Sequence, residues 1–326
     1  MKRLLIGLLG LAIFLLNLLP AQGASYYEGK TITLIVGYPP GGGTDTVTRH
    51  IAVGMAEALG QPVIVENRTG ASGLIAAEAV SRAAPNGRLL LNIDQGFIAN
   101  PFLMKNWSLV PHRDVTPISL MGSAPLILVV PPSVTARTLQ ELIALAKANP
   151  GKLTYGSAGS GNTTHLSPEL LKFKAGLDII QVPYKGSGPA VTDLLGGRIS
   201  MMFTGVSAVR GAVTDGRLYP IAITGTSRSQ VFPQVPTLAE AGVPIPELNL
   251  GTWWGLAGPP EMPRDVVARI AQAVKAAAEN ATIREKLAAL NIRSVSNTPE
   301  EFLDMVRAES ASYGNLLRRA NIKLGD

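Results

Sequence analysis

Short apolar runs alternate along the chain with stretches in which apolar residues recur every four positions. The run 32–36 predicts a strand, and Val47, Ile51 and Met55 predict one apolar face of a helix after it. The same alternation continues through residues 31–124. Because short strands that alternate with helices form largely parallel sheets covered on both faces, this part predicts an α/β unit.

A second block of the same kind begins with the apolar run 126–130 and continues through strands near 179–182 and 199–203. A stretch rich in proline and glycine follows at 232–263, and two periodic helices close the chain. No long linker isolates these helices, so we expect them to return to the first block. The predicted division is a signal segment, 1–24; domain 1, 25–124 plus 229–326; and domain 2, 125–228.

Two glycine-rich loops each lie between a predicted strand and the start of a predicted helix. The first, 38–45, contains Gly41, Gly42 and Gly43 in succession, and the second is 155–164. Unpaired N–H groups and the helix dipole favour an anion at a helix start. Glycines let such an anion approach the backbone closely. The two loops therefore predict a cleft that grips a small anion from both sides.

Hydroxyl groups beside these loops are further candidates, because a carboxylate accepts hydrogen bonds from them. For Thr44, Ser157, Thr163 and Thr164 the alternative role is to cap a helix. Asp45 has the same two interpretations. Its charge would repel an acid but could bind an ammonium group or a water molecule.

Three other positions have interpretations that the sequence leaves open. Ser72 begins a third possible helix start, and Tyr184 lies in a loop expected to face the cleft. His165 is interpreted as a packed or capping histidine. Trp253 and Trp254 are both candidates for the core, and one of them could instead line the mouth of the cleft.

Composition excludes several classes of protein. The chain has 326 residues, of which 46% are hydrophobic and only 16% charged, so it can bury a large core. Its net charge of +6 falls to +4 without Lys2 and Arg3, and no basic run is interleaved with aromatic residues. We therefore expect no nucleic-acid partner. The absence of cysteine excludes disulfides and thiol catalysis.

The first 24 residues have the pattern of a secretory signal peptide. A basic start is followed by the apolar segment 4–19 and by small residues at 21–24, which predict cleavage after Gly23 or Ala24. An uncleaved membrane anchor is the alternative, but the apolar segment is short for a span of about 20 residues. We expect a soluble, exported protein in the periplasm.

Motifs for catalysis are missing from the sequence. No serine has glycine at both the second position before it and the second after it, so there is no nucleophile elbow. His50, His112 and His165 are far apart in the chain and form no zinc motif. His165 could still meet a serine and a carboxylate in space. The sequence predicts no enzyme, no cofactor and no metal.

Five segments together resemble a known family. They are YPPGGGTD at 38–45, ENRTGASG at 66–73, YGSAGSGNTTHL at 155–166, VPYKG at 182–186 and FPQVPTLAEAG at 232–242. In this order they resemble the Bug-type periplasmic receptors of tripartite tricarboxylate transporters. The resemblance covers nearly all of the chain after residue 24.

The resemblance implies a type II periplasmic-binding-protein fold, with two α/β domains around a ligand cleft. It also implies capture of a small carboxylate by a monomeric receptor, and delivery to the large and small membrane subunits of a transporter. Backbone amides and hydroxyls of the two loops would hold the carboxylate oxygens. Two positions depart from the family pattern: Thr69 stands where proline is frequent, and Thr204 where aspartate is frequent.

A receptor is the leading hypothesis; a periplasmic hydrolase and a sensor subunit that presents its ligand to a signalling protein are the alternatives. The predicted ligand-binding residues are Tyr38, Gly41, Gly42, Gly43, Thr44, Asp45, Ser72, Ser157, Gly159, Thr163, Thr164, Tyr184 and Thr204.

Overall fold

The computed structural model describes residues 30–159 and 161–319. The predicted signal segment, 1–24, and its cleavage site lie outside these residues. In the described part the strands form two sheets, one of six strands and one of five. The chain crosses between the sheets twice.

The first part of the chain builds most of the six-stranded sheet. Its elements are β1 (Ile32–Val36), α1 (Gly43–Leu59), β2 (Val63–Asn67), a 3-10 turn (Ala71–Gly73), α2 (Leu74–Ser81), β3 (Leu89–Asp94), α3 (Gln95–Leu103) and β4 (Thr116–Ala124).

The middle part builds the five-stranded sheet. Its elements are β5 (Leu126–Val130), α4 (Leu139–Ala148), β6 (Thr154–Ser157), α5 (Thr163–Ala175), β7 (Ile180–Pro183), α6 (Ser187–Leu195), β8 (Met201–Gly205), α7 (Val206–Thr214) and β9 (Tyr219–Ile223).

The last part returns to the first sheet, as predicted. Its elements are a 3-10 turn (Pro246–Leu248), β10 (Thr252–Gly258), α8 (Arg264–Glu279), α9 (Ala281–Ala289), β11 (Arg293–Ser294) and α10 (Pro299–Arg319). Several of the described elements are absent from the sequence prediction, among them α3, which contains Pro101, β10, which lies in the Pro/Gly-rich stretch, and α9.

Both sheets are mixed: in the first block β1 is parallel to β2 and β3, as predicted, and the antiparallel pairs arise where β10 and β11 join the first sheet and where β5 joins the second. The six-stranded order is β11-β4-β10-β3-β1-β2, and only β1 with β2 and β1 with β3 are parallel. The five-stranded order is β7-β6-β8-β5-β9, with β6 parallel to both of its neighbours and the other pairs antiparallel. The physical reason is that a strand arriving from the other sheet enters at the opposite end and runs against its neighbours.

We call the two crossings between the sheets the hinge. Pro125 alone separates β4 from β5, and residues 224–251 join β9 to β10. The N–H of Leu126 donates to the Thr224 hydroxyl at 2.8 Å, so the two crossings are tied to each other. The limits of the two domains, 124/125 and 228/229, stay predictions.

Alternate residues of β10 separate the packing on the two faces of the first sheet. Trp254 packs with Val47 of α1 and Val274 of α8, and Trp253 packs with Phe302 of α10. Trp253 is fully buried, and its ring meets that of Phe302 edge-on at 5.8 Å between centroids. The period-2 alternation of a strand explains why two adjacent tryptophans belong to different cores.

Below Trp253 lies a buried carboxyl group on α10. The indole Nε1 of Trp253 donates to Glu309 at 3.1 Å. Burial raises the pKa of Glu309 to about 8; the hydrogen bond from Trp253 lowers the pKa, and the neighbouring Glu247 raises it. Glu309 is therefore mostly neutral in the folded protein at pH 7, whereas it is ionised in the unfolded chain.

We predict that Glu309→Gln stabilises the fold above pH 5. The folded pKa is raised, so the stability contributed by Glu309 is present below its unfolded pKa near 4.5 and is lost as pH rises towards 8. Between those values the parent should lose about 1.4 kcal/mol per pH unit relative to the variant. Urea unfolding at pH 5, 6, 7 and 8 measures this difference.

Glu300→Gln, at an exposed position on the same helix, is the control and should leave the pH dependence unchanged. A constant difference between parent and Glu309→Gln across this pH range would contradict the prediction.

Candidate functional site

The first glycine loop ends in an unusual helix start. The N-cap residue of α1 is Gly42, which has no side chain to accept a hydrogen bond from the first turn. Gly41 has φ of +84°, a conformation that favours glycine. Gly41, Gly42 and Gly43 are exposed. The N–H groups of the first helical turn have no acceptors within the helix, so they are available to an anion.

Asp45 orders this loop from inside the helix. It is the third helical residue, and its carboxylate accepts a hydrogen bond from the N–H of Gly41 at 3.0 Å. The carboxylate also receives two contacts from Arg49 at 2.9 Å and one from Asn67 Nδ2 at 2.9 Å. Asn67 Nδ2 also donates to the backbone oxygen of Tyr38 at 3.0 Å.

With these contacts Asp45 has neither of the two roles considered from the sequence, helix cap and ligand group. Burial raises its pKa, but hydrogen bonds from Arg49, Gly41 and Asn67 outweigh burial, and the net pKa is lowered. Its side chain is only 5% exposed, and Arg49 balances its charge. Asp45 is thus neither the N-cap nor a free ligand group. It fixes the loop while leaving the amides of Gly42 to Thr44 unused.

Trp254 supports the same loop from the hinge side. Its Nε1 donates to the hydroxyl of Thr44 at 3.0 Å, so Thr44 is not the cap either. A Cβ atom added to Gly43 would lie 3.0 Å from the indole ring. Glycine at 43 is therefore required for packing against Trp254, in addition to any role in ligand approach.

Side chains of the second glycine loop and of the helix start after it accept from several N–H groups of the loop. Asn162 is the N-cap of α5, and its side chain accepts from the N–H groups of Thr164 and His165. The Thr164 hydroxyl accepts from Ala158 N at 2.8 Å and donates to Asn162 Oδ1 at 2.6 Å. The capping role therefore belongs to Asn162, and neither Thr163 nor Thr164 is the cap. The hydroxyl of Thr164 is committed within the loop.

His165 closes the base of this second loop. Its Nδ1 accepts from the N–H of Gly161 at 3.1 Å, and its ring stacks on Tyr155 at 6.4 Å between centroids. Burial, with a smaller contribution from the charge of Lys172, lowers the pKa of His165 to about 4. The imidazole is therefore neutral at pH 7 and holds the loop in shape, in line with the packed role expected from the sequence.

Thr163 brings the second loop against the first domain. Its hydroxyl lies 3.3 Å from Gln95 Oε1 and 3.3 Å from the hydroxyl of Thr252. Gln95 is fully buried at the start of α3, and it also donates to the backbone oxygen of Gly251 at 2.5 Å. In this conformation the two sides of the cleft are in contact through Thr163.

Asp94 is a cleft residue that the sequence interpretation missed. It caps α3, accepting from Phe97 N at 3.1 Å, and it accepts from the Tyr38 hydroxyl at 3.3 Å. Burial raises its pKa, although hydrogen bonds from Phe97, Tyr38 and Gly96 oppose this. An aspartate at the end of an apolar strand is a signal for a cap. Pro101 lies inside the helix that follows Asp94, so the sequence did not predict this helix or its cap.

Tyr38, Asp94 and Ser72 line a small cavity of about 10 Å³ in the first domain. This is close to the room that one water molecule needs. Ser72 has φ of +54°, and its backbone oxygen accepts from Asn100 Nδ2 at 3.4 Å. The fold thus brings Ser72 next to Tyr38 of the first loop.

Other predicted residues have partners elsewhere in the fold or are enclosed. The Tyr184 hydroxyl donates to Asp193 of α6 at 2.8 Å, and contact of Tyr184 with a ligand stays a prediction. Ser157 is fully buried and accepts from Gln181 at 2.9 Å. Thr204 is also fully buried, and its hydroxyl has no hydrogen-bond partner among the described residues.

Gly159 belongs to the second loop and has φ of +127°. A Cβ atom there would lie 3.5 Å from Asn162 Nδ2. A side chain at this position is strained by the backbone conformation, whatever room surrounds it. The structure therefore explains this glycine by the shape of the turn.

Within residues 30–159 and 161–319 no helix is both long and apolar enough to cross a membrane. In the same residues no three histidine, aspartate or glutamate side chains gather as metal ligands do.

The fold is that of periplasmic solute-binding proteins, and comparison with solved structures confirms this class. A structure described as Rpa4515 with adipate, from Rhodopseudomonas palustris, is 31% identical and covers 91% of this chain and 100% of its own, with a TM-score of 0.79. The malate-bound MatC from the same organism is 30% identical and covers 89% and 100%, with a TM-score of 0.76. BugT of Bordetella pertussis is 33% identical over 99% of each chain.

The family follows from a model for the tripartite tricarboxylate transporter family receptor, which matches residues 47–322. This chain belongs to that family of periplasmic solute receptors. The predicted family and fold class are confirmed. The family consists of binding proteins, so the prediction that the chain is not an enzyme is also confirmed, and the hydrolase alternative has no support.

We predict that Asp45→Ala loosens the first loop more than Asp45→Asn does. Asparagine keeps one oxygen that can accept from the Gly41 N–H, but it loses the charge that pairs with Arg49 and places its Nδ2 where Asp45 Oδ1 accepts from Asn67. Alanine also removes hydrogen bonds to a charged group, worth about 1.5–3 kcal/mol. Urea unfolding and amide hydrogen exchange at Gly41 measure the two effects.

The expected order of exchange rates at Gly41 is parent, then Asp45→Asn, then Asp45→Ala as the fastest. Equal rates in the three proteins would mean that Asp45 does not order the loop.

Proposed function

We propose that this chain is a monomeric periplasmic receptor that captures a small carboxylate in the cleft between its two sheets. It delivers this ligand to the large and small membrane subunits of a tripartite transporter. The signal segment 1–24 is removed on export, after Gly23 or Ala24. Adipate and malate, named with two relatives, define the dicarboxylates to try first.

The main support for this proposal is that backbone N–H donors at the start of α1 are exposed and unused. An anion there meets the N–H groups of Gly42, Gly43 and Thr44 and the positive end of the helix dipole. The carboxylate of Asp45 would oppose this binding, but it is buried and its charge is balanced by Arg49. The loop therefore presents donors without a net repulsive charge.

The second loop contributes less than the first in this proposal. Its N–H groups at Ala158, Gly161 and Thr164 are occupied, and the Thr163 hydroxyl reaches across towards the first domain. A ligand held at the start of α1 would either replace Gln95 as the partner of the Thr163 hydroxyl or bind beside the two residues. Closure of the cleft about the hinge strands brings these groups together, so a ligand that contacts both sides favours the closed form.

The test is a titration of adipate and malate into parent and variant proteins, measured by isothermal calorimetry. A Cβ atom at Gly42 would meet only Pro39 O, at 3.9 Å, and Gly42 has φ of −77°. Gly42→Val should therefore fold normally while its side chain obstructs the ligand. Affinity for the better ligand should fall at least tenfold, with the melting temperature close to that of the parent.

Gly211→Val is the matched control, because Gly211 is exposed on α7 with open space around it. It should bind as the parent does. Thr163→Ala should lower affinity by roughly tenfold or more, since a hydrogen bond to a charged group is worth about 1.5–3 kcal/mol. If folded Gly42→Val and Thr163→Ala both bind like the parent, the proposed site is wrong.

A further inference from the structure

A second cavity, of about 650 Å³, lies on the other side of the hinge from the glycine loops. In the first sheet β11 is the edge strand next to β4. Strand β3, which ends in Asp94, and strand β1, which leads into the first loop, lie further along the sheet on the other side of β10. In the second sheet β9 is the edge strand farthest from β6 and its loop. The cavity is lined by the start of β11, the start of α9 and the segment 224–230 after β9. We call this cavity the hinge groove.

Three arginines from both sides of the hinge line the hinge groove. Arg228 comes from the segment after β9, Arg284 from α9 and Arg293 from β11. Glu285 is the one carboxylate among the lining residues, so the lining carries a positive excess. Guanidinium groups match the geometry of carboxylate and phosphate oxygens, with two parallel hydrogen bonds to one group.

Two of these arginines are free of carboxylate partners in the described part of the chain. Arg228 pairs with Glu240 at 2.9 Å, on the surface. Arg284 has no ion pair there, and Arg293 has only a long contact of 3.4 Å to the Ser123 hydroxyl. Arg284 and Arg293 therefore keep their donors for another group.

A buried amide group in the same lining also lacks a partner. Asn291 lines the hinge groove, and its Nδ2 is buried with no acceptor among the described residues. Buried polar groups normally have a hydrogen-bond partner, and an exception needs a reason. The nitrogen is closed to the groove in this conformation, so an acceptor in the groove would reach it only after the Asn291 side chain turns.

We propose that the hinge groove is a second binding site, for a small multivalent oxyanion with phosphate or carboxylate groups. Its volume lies in the range of about 300–1,000 Å³ typical of small-molecule sites. An anion that contacts Arg228 and Arg284 together joins the two sides of the hinge. The site is distinct from the carboxylate cleft, since different residues and the opposite side of the hinge strands form it.

Pyrophosphate is the probe, because it carries two linked anionic groups and is not a carboxylate. Calorimetry at 0.15 M salt should give saturable binding of one pyrophosphate per chain, with a Kd of about 1 mM or tighter. The double variant Arg284→Gln, Arg293→Gln should weaken this binding at least tenfold while the fold, checked by thermal melting, stays intact. Adipate or malate binding in the cleft should be unaffected.

Two controls separate binding in the hinge groove from general charge attraction and from binding in the cleft. Arg82→Gln with Arg217→Gln removes the same charge from exposed positions outside the groove and should leave pyrophosphate binding within about threefold of the parent. Gly42→Val tests the cleft and should leave pyrophosphate binding unchanged. Absence of saturable binding, equal weakening by both arginine pairs, or loss in Gly42→Val would each overturn the proposal.

Discussion

The hydrogen bond from the Gly41 N–H to the Asp45 carboxylate is the contact on which the rest of the site depends. It turns the chain at the end of β1 so that the next amides leave the loop without partners. An aspartate placed there without Arg49 and Asn67 would repel the anion that the amides attract. With them, the same carboxylate is a fixed acceptor with a balanced charge. The shape of the first loop and its local charge are therefore both determined by one cluster of four residues, Gly41, Asp45, Arg49 and Asn67.

Gln95 connects the start of β10 to the opposite wall of the cleft. It lies at the start of α3, bonded to the backbone at Gly251 and at Trp253, where the chain re-enters the first sheet. Its side-chain oxygen is also 3.3 Å from the Thr163 hydroxyl of the other domain. One buried side chain thus contacts the hinge and the opposing wall of the cleft. Trp254 adds a second link, since it joins β10 to the hydroxyl of Thr44.

The sequence predicted the two glycine loops, the return of the last helices and the family, because local patterns determine these features. The roles of individual polar residues required the structure. The position of Asp45 in the sequence predicts a helix cap. Its partner Asn67 is 22 residues away, and only the parallel pairing of β1 with β2 brings the two side chains together. Tyr184 and Thr164 have the right chemistry for a ligand, but nearby acceptors and donors occupy them. Asp94 was missed because Pro101 breaks the helical pattern after it.

Amide NMR spectra of the protein during titration with adipate or malate test the central claim most directly. If backbone donors at the start of α1 hold the carboxylate, the N–H signals of Gly42, Gly43 and Thr44 should move downfield and saturate together with binding. The Gly41 signal should move little, because its N–H is already bonded to Asp45. Saturating binding that leaves these three signals in place and moves others would contradict the account.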